Sequence, residues 1–228
     1  MKIQIARFDK PINYSPSYEK EDLQAGESSY LCEGLFCLYR LINKDVQMKF
    51  KDLKIGDVFE SKNFGEFVIV KIIDSQNVYI RFPSTGYTKL VEMASIRLRS
   101  VKDWMKPTFY GIGVRGDELP AQVDGKMVKE YVTWKEMLRR IVDEKSLQQF
   151  PTYRDCSVCE RWLYYPHFYQ DVRKLPGYID WYNNTKSCKY NLNKDIKVPG
   201  SKIYSPNTCM FVTSSENSLD ANRHRHNP

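Results

Sequence analysis

One segment near the C-terminal end, Lys189 to Asn217, constrains the fold more than any other part of the chain. It begins with apolar and polar residues in alternation from Tyr190 to Ile196, which predicts a short strand. A proline–glycine turn follows, and a second short strand is predicted from Tyr204 to Val212, interrupted by Ser205-Pro206-Asn207. Thr213 to Glu216 then provides the hydroxyl and the acid that start a helix. The segment therefore predicts a strand, a turn, a second strand and a helix.

The order of residues within this segment is also specific. The pattern is Leu192-Asn193-Lys194-Asp195-Ile196, Gly200, Tyr204-Ser205-Pro206, Cys209, Phe211-Val212 and Asn217. It resembles a block found in phage HNH endonucleases and homing-endonuclease-like proteins, whose nuclease core is a ββα unit. The resemblance extends upstream to Tyr153, Cys156, Val158, Cys159 and Trp162. It implies an HNH-like, treble-clef-like domain that acts on DNA.

The resemblance also implies which residues would carry the chemistry. Such a nuclease needs a general base that activates water and ligands that hold a divalent metal on the scissile phosphate. By position, the catalytic candidates around Mg²⁺ are Lys194, Asp195, Asn207 and Asn217. None is a histidine, and Asn193 stands where the family has an acidic residue. Because an unperturbed lysine is protonated at neutral pH, cleavage would need a Lys194 pKa lowered by burial, or a base from elsewhere such as His167.

Length and charge bound the remaining possibilities. A chain of 228 residues can form one large or two small domains, and its 42% hydrophobic content excludes a disordered chain. The net charge of +7 favours a polyanionic partner such as DNA, although an ordinary basic surface has the same composition. There is no apolar run of membrane-spanning length, and the N-terminal residues are too polar for a signal peptide. We therefore expect the host cytoplasm, or a phage particle assembled there.

Residues 47–101 carry the clearest β pattern. Short apolar runs are separated by turn sequences at Asn63-Phe64-Gly65, Asp74 to Asn77 and Thr85-Gly86-Tyr87. About five short strands joined by tight turns predict a small SH3-like β barrel. A unit of this kind also precedes the nuclease-like block in many members of the resembled family.

Two sets of basic residues are candidates for DNA binding. In the β region, Arg81 and Lys89 are interleaved with Tyr79, Phe82 and Tyr87, a pattern that could form a nucleic-acid face. The alternative is that strand alternation simply places these charges in solvent.

The second set lies on the clearest helix, predicted from Thr133 to Glu144. Thr133 and Glu136 have the spacing of a capping box, and Glu136 can pair with Arg140 one turn later. Apolar residues at helical spacing predict a core-facing stripe. Arg139 and Arg140 on the outer face are candidates for phosphate contacts.

The six cysteines allow two interpretations. Cys156, Cys159, Cys188 and Cys209 are enough ligands for a structural Zn²⁺ in a treble-clef core. The last two do not form a second Cys-x-x-Cys pair, so buried thiols are the other interpretation. Cys32 and Cys37 lie in an apolar run and are expected to be small buried residues.

The sequence thus predicts an α+β protein in four parts. These are an N-terminal arm (1–46), a small SH3-like β barrel (47–101), an HNH-like ββα domain (102–217) and a basic C-terminal tail (218–228). Three functions remain open: a DNA-binding protein that has lost cleavage, a structural component of a phage virion (head, collar or tail), and an active homing endonuclease that nicks DNA. The degenerate catalytic positions favour the first two.

Overall fold

The architecture is mixed α+β. A computed structural model of the protein describes residues 53–184 and 189–226, so the predicted N-terminal arm lies outside the described residues. The chain divides after Asp103 into two compact units. The first contains β1 (Val58–Ser61), β2 (Gly65–Ile72), β3 (Asn77–Arg81), β4 (Thr88–Glu92) and α1 (Met93–Arg97).

The first unit is built on a four-stranded antiparallel sheet in the order β1-β2-β3-β4. Each strand pairs with the next one in the sequence, as the predicted tight turns require. Successive residues of a strand point to opposite faces of the sheet. Phe67 and Ile69 of β2 and Val78 and Ile80 of β3 are fully buried on one face, where α1 adds two more apolar side chains. Four of the about five predicted strands, and the turns between them, are confirmed.

The sheet is open. Four strands are present between residues 53 and 103, where about five were expected, and in this range no pairing joins β1 to β4. A barrel closes only when its first and last strands pair. The described residues therefore form an antiparallel sheet and do not form the closed SH3-like barrel.

The second unit is larger and contains short strands among helices. Its elements are β5 (Gln122–Val123), β6 (Lys126–Met127), α2 (Lys129–Val142), α3 (Glu144–Gln149), β7 (Ser157–Val158), α4 (Glu160–Leu163), α5 (Tyr165–Val172), α6 (Tyr178–Asn183), β8 (Tyr190–Asn193), β9 (Ile203–Tyr204), β10 (Met210–Thr213) and α7 (Ser214–His226). Its core is rich in aromatic side chains, including the fully buried Trp134, Trp162 and Phe168. The indole Nε1 of Trp134 donates to the carbonyl of Trp162 at 2.8 Å, which satisfies a buried donor. Among the described helices, none is both long and apolar enough to span a membrane.

The helix α2 begins four residues before the predicted start. Thr133 lies inside it, and Val128 precedes it without a side-chain cap, so the predicted capping box is wrong. Glu130 and Tyr131 are both buried, and we attribute the earlier start to this packing. Glu136 pairs with Arg139 at 2.7 Å instead of the predicted Arg140. The predicted apolar stripe is buried at Trp134, Met137 and Leu138.

The segment from Lys189 to Asn217 forms the predicted strand–strand–helix order. The strands β8 and β10 pair antiparallel, with the buried Leu192 opposite the buried Phe211. The helix α7 follows β10 directly and begins with a capping box. The backbone N–H of Thr213 donates to Glu216 Oε2 at 2.8 Å, and the backbone N–H of Glu216 donates to Thr213 Oγ1 at 3.2 Å.

The interruption predicted at Ser205-Pro206-Asn207 is confirmed, because a turn at Ser205 to Thr208 separates β9 from β10. Two details differ from the prediction. The strand β9 pairs in parallel with β7 instead of extending the β8–β10 pair. In addition, residues 218–226, predicted as a separate tail, continue the helix α7.

Gly177 allows close contact between α6 and β10. It precedes α6 with a φ of +76°, and the backbone N–H of Phe211 donates to the carbonyl of Pro176 at 2.9 Å. A Cβ at position 177 would lie 2.3 Å from the carbonyl oxygen of Phe211. Gly200 has a similar φ of +73°, but a Cβ at position 200 would have no neighbouring atom within 4 Å. Replacing Gly200 by alanine therefore tests only the strain of a left-handed backbone, whereas replacing Gly177 by alanine tests this strain together with a collision.

We predict that Gly177→Ala lowers the free energy of unfolding by about 3 kcal/mol, since it adds a backbone collision to an unfavourable φ. The matched Gly200→Ala should cost only about 1 kcal/mol, the strain of the left-handed conformation. Urea unfolding of both variants measures the difference. Equal losses would show that α6 does not approach β10 as described.

Candidate functional site

Asn193 organises the loop that follows β8. Its Oδ1 accepts hydrogen bonds from the backbone N–H groups of Asp195 and Ile196, each at 2.8 Å. This is the local side-chain-to-backbone turn that asparagine favours. Its Nδ2 donates to Oδ1 of Asn217 in α7, also at 2.8 Å. Asn193 thus joins the loop that carries Lys194 to the first turns of α7.

Lys194 is buried, with 5% of its surface exposed. Its Nζ lies 5.9 Å from the ring centroid of Tyr153 and 5.7 Å from that of Tyr204, both within the range of cation–π attraction. The same Nζ donates to Oδ1 of Asp195 at 2.6 Å. Cys156 also interacts with the ammonium. We refer to these five residues as the Lys194 cluster.

The electrostatics of the cluster keep Lys194 charged. Burial desolvates the ammonium and by itself lowers its pKa, but the hydrogen bond and the negative charge of Asp195 act in the opposite direction. The net result is a Lys194 pKa above its ordinary value. A lysine acting as a general base needs a lowered pKa. Cleavage through Lys194 would need a pKa lowered by burial, and this condition is not met, because the carboxylate of the partly exposed Asp195 lies 2.6 Å from the ammonium.

The remaining catalytic candidates are only partly brought together. Asp195 is committed to Lys194, and the amide oxygen of Asn217 accepts from Asn193. Asn207 is exposed, in the turn between β9 and β10. The structure therefore places Lys194, Asp195 and Asn217 around Asn193, whereas Asn207 belongs to the surface turn.

The aromatic neighbours of Lys194 were not identified from the sequence as part of a site. The parallel pairing of β7 with β9 brings the segment containing Tyr153 and Cys156 towards Tyr204. The backbone N–H of Cys159 donates to the carbonyl of Tyr204 at 2.9 Å, which fixes this approach. The resembled pattern includes Tyr153, Cys156 and Tyr204. Their occurrence in one pattern was the sequence signal that could have placed them in one site.

The described cysteines are free thiols. Burial raises the pKa of Cys156 and Cys159, and raises that of Cys209 to about 11. Within residues 53–184 and 189–226, no group of three His, Cys, Asp or Glu side chains is arranged to hold a metal ion. Cys188, the fourth predicted zinc ligand, lies outside the described residues. The zinc site stays a prediction.

His167, the alternative base, lies in α5. Its ring packs edge-on against Tyr164 with 5.1 Å between the ring centroids. Burial lowers its pKa, and the positive charge of Arg161 lowers it further, while Asp171 raises it. Arg161 and Asp171 form an ion pair at 2.7 Å beside this ring. His167 is therefore a neutral, partly buried side chain at pH 7.

The basic residues of the sheet do not form the single face that was expected. Lys89 lies directly opposite the fully buried Ile80, so the two share one face of the sheet. Arg81 follows Ile80 and points to the other face. Phe82 and Tyr87 pack together in the core, with 6.5 Å between their ring centroids. Phe82 and Tyr87 therefore belong to the interior and do not provide a stacking surface.

The two arginines of α2 are engaged in contacts within the second unit. Arg139 donates to Oε2 of Glu136 through Nε at 3.0 Å and Nη2 at 2.7 Å, and to Ser146 Oγ through Nη1 at 2.8 Å. Arg140 interacts with the hydroxyl of Tyr204. A carboxylate thus already compensates the charge of Arg139, which weakens it as a phosphate ligand.

We predict that Lys194→Met lowers the free energy of unfolding by about 2 kcal/mol. Methionine keeps the apolar part of the side chain but leaves Asp195 without its buried partner. The control Lys197→Met removes an exposed lysine whose Nζ donates to the carbonyl of Pro206, and should change stability by no more than about 0.5 kcal/mol. Because the Lys194 pKa is raised, the difference between the variants should be constant from about pH 6 to pH 9. A difference that disappears below pH 9 would contradict the raised pKa.

A second prediction concerns pH. The folded-state pKa of His167 is depressed, so between it and the unfolded value the unfolded chain binds a proton more readily. Stability should therefore be full above about pH 6.5 and should fall as the pH decreases below that value. Chemical denaturation at pH values from about 7.5 to 5 should show this loss in the wild type and a smaller loss in His167→Gln. An equal loss of stability in the wild type and in His167→Gln would show that other titrating groups cause it.

Comparison of the chain with protein-family models, with curated proteins and with solved structures finds no match. Two observations remain for assigning a function. One is the residue pattern of the segment 189–217, and the other is the set of contacts in the Lys194 cluster. The first concerns the kind of scaffold, and the second concerns the chemistry that this scaffold can perform.

Proposed function

We propose that this protein binds DNA through an HNH-like ββα scaffold that has lost efficient cleavage, with an SH3-like module preceding it. The observation that carries the proposal is the 2.6 Å ion pair between Lys194 and Asp195 at the position expected for the general base. The four-stranded antiparallel sheet and the strand–strand–helix order of β8, β10 and α7 support the two parts of the scaffold.

The Lys194 cluster disfavours hydrolysis for a specific physical reason. A general base must be able to accept a proton near the operating pH. The raised pKa of Lys194 keeps it protonated at neutral pH, so its nitrogen has no lone pair with which to take a proton from water. The nuclease role of Lys194 therefore has no support in the geometry.

The residues around Asp195 do not fit a catalytic Mg²⁺. This cation prefers several oxygen ligands in an octahedral arrangement, with carboxylates among them. Oδ1 of Asp195 accepts a hydrogen bond from Lys194 Nζ, and Oδ1 of Asn217 accepts one from Asn193 Nδ2. A magnesium ion beside Asp195 would also meet the positive charge of the ammonium. We therefore derive no catalytic step through a metal ion.

DNA binding does not need this chemistry. Affinity for nucleic acid comes largely from cations that neutralise phosphates, and the chain has a net charge of +7. The Asn193 hydrogen bonds and the capping box at Thr213 and Glu216 stabilise the loop and the start of α7 without any ligand. The scaffold can therefore present a fixed surface to DNA.

The experiment combines a nicking assay with a binding assay on the same preparation. Supercoiled plasmid is incubated with the protein and Mg²⁺ or Mn²⁺, and binding of labelled duplex and single-stranded DNA is titrated at several salt concentrations. We expect no nicking, and an affinity for at least one DNA form that falls steeply with salt.

The variants Asp195→Ala and Asn217→Ala test whether the degenerate site works as a nuclease. Asp155→Ala, an exposed carboxylate in the same unit, serves as the matched control. Nicking by the wild type that is lost in the first two variants and kept in the control would overturn the loss of cleavage. Absence of salt-dependent binding to every DNA form would overturn DNA binding.

A further inference from the structure

A surface formed by α5, α6 and the start of α2 combines tyrosines with cations. It consists of Lys129, Tyr169, Arg173 and Tyr182, with the buried Tyr178 beneath them, and we call these five residues the tyrosine face. Tyr182 is 46% exposed, so its ring is accessible to a ligand. None of these residues was among the nucleic-acid candidates from the sequence.

Each cation of the tyrosine face is held by a tyrosine. Lys129 Nζ donates to the carbonyl of Tyr182 at 2.6 Å and lies 5.5 Å from the centroid of the same ring. Arg173 Nη1 donates to the hydroxyl of Tyr169 at 2.8 Å, and its guanidinium carbon lies 5.0 Å from that ring centroid. Both cations are exposed. They are therefore positioned but not removed from solvent.

The two cations are linked through the buried ring of Tyr178. Tyr178 stacks on Tyr182 with 5.5 Å between the ring centroids, and it also interacts with Arg173. Its hydroxyl donates to Oε1 of the buried Glu130 at 2.5 Å, so this carboxylate is hydrogen-bonded inside the protein. Tyr178 thus connects the Lys129 side of the face to the Arg173 side.

The tyrosine face differs from three other arginine sites of the protein. Arg99, Arg139 and Arg161 are each paired with a carboxylate at 2.7 Å. Among the residues that the structure describes, no carboxylate forms an ion pair with Lys129 or Arg173. The buried Glu130 acts on Arg173 through its negative charge, but the two exposed cations outnumber this carboxylate, so the surface can attract an external anion.

The position of Lys129 is not explained by helix stability. It is the first residue of α2, where the helix dipole disfavours a cation. The neighbouring α6 also exposes 64% of Ile179, an apolar side chain in solvent. A charge at the unfavourable end of a helix, next to exposed aromatic and apolar groups, is what a ligand with both phosphates and flat rings would contact.

We propose that the tyrosine face binds single-stranded DNA, with Lys129 and Arg173 on phosphates and Tyr182 against a base. This inference rests on the proposed DNA binding and assigns its location. Cations that follow the backbone and aromatic side chains that contact successive bases are the two components of such surfaces. Duplex DNA hides its base faces in the stack, so it can use the cations but not the ring.

The test measures fluorescence anisotropy of a labelled oligothymidine and of a labelled duplex of the same length, each over a range of salt. The double variant Lys129→Ala/Arg173→Ala should weaken single-strand binding roughly 20-fold at about 0.1 M salt and reduce the slope of log Kd against log salt by about 1.4, the value for two lost phosphate contacts. Tyr182→Leu should weaken it at least about 5-fold with an unchanged slope, since only a stacking contact is lost.

The matched control is Lys126→Ala/Lys145→Ala, which removes the same charge from exposed positions elsewhere in the second unit. Thermal unfolding of every variant confirms that it is folded. Wild-type binding with equal effects of the two double variants would overturn the tyrosine face and leave DNA binding in place. Wild-type binding to the duplex but not to the oligothymidine would also overturn the tyrosine face and leave DNA binding in place. Wild-type binding to neither DNA form would overturn the proposed function itself.

Discussion

The ion pair between the buried Lys194 and the partly exposed Asp195 is the interaction on which the chemistry of the second unit depends. An ammonium removed from water requires a counter-charge, and here the adjacent residue in the chain provides it at 2.6 Å. The rings of Tyr153 and Tyr204 surround the same ammonium from segments far apart in the sequence. The pair therefore joins the β8 loop to the β7–β9 pairing, and it also prevents Lys194 from acting as a base.

Asn193 likewise uses all of its polar atoms for structure. An aspartate at this position would accept the two backbone hydrogen bonds equally well, but it has no N–H to donate to Asn217. Asparagine uses both ends of its amide, and this connects the loop to α7. The asparagine that stands in place of an acidic group of the family pattern thus also stabilises the strand–strand–helix unit. This fixed loop without the acidic group is one of the observations that support the proposed binding of DNA without cleavage.

Much of the local structure follows from sequence patterns. The turns of the first unit, the order of strands and helix after Lys189, and the capping box at Thr213 and Glu216 all depend on residues close together in the chain. The start of α2 was predicted incorrectly. At Glu130 and Tyr131, burial against distant residues decides how far the helix extends, and no local signal records that burial.

The net charge, most strand and turn positions, and the absence of histidine from the expected catalytic positions can be read from the residues alone. The tertiary structure sets the protonation of Lys194, because its pKa depends on the balance between burial and the distance to Asp195. It also decided which cations are available for an anion. Arg139 and Lys129 are both basic residues in the sequence, but one contacts a carboxylate and the other contacts a tyrosine. That difference arises from the packing between helices, and a count of the charged residues does not describe this packing.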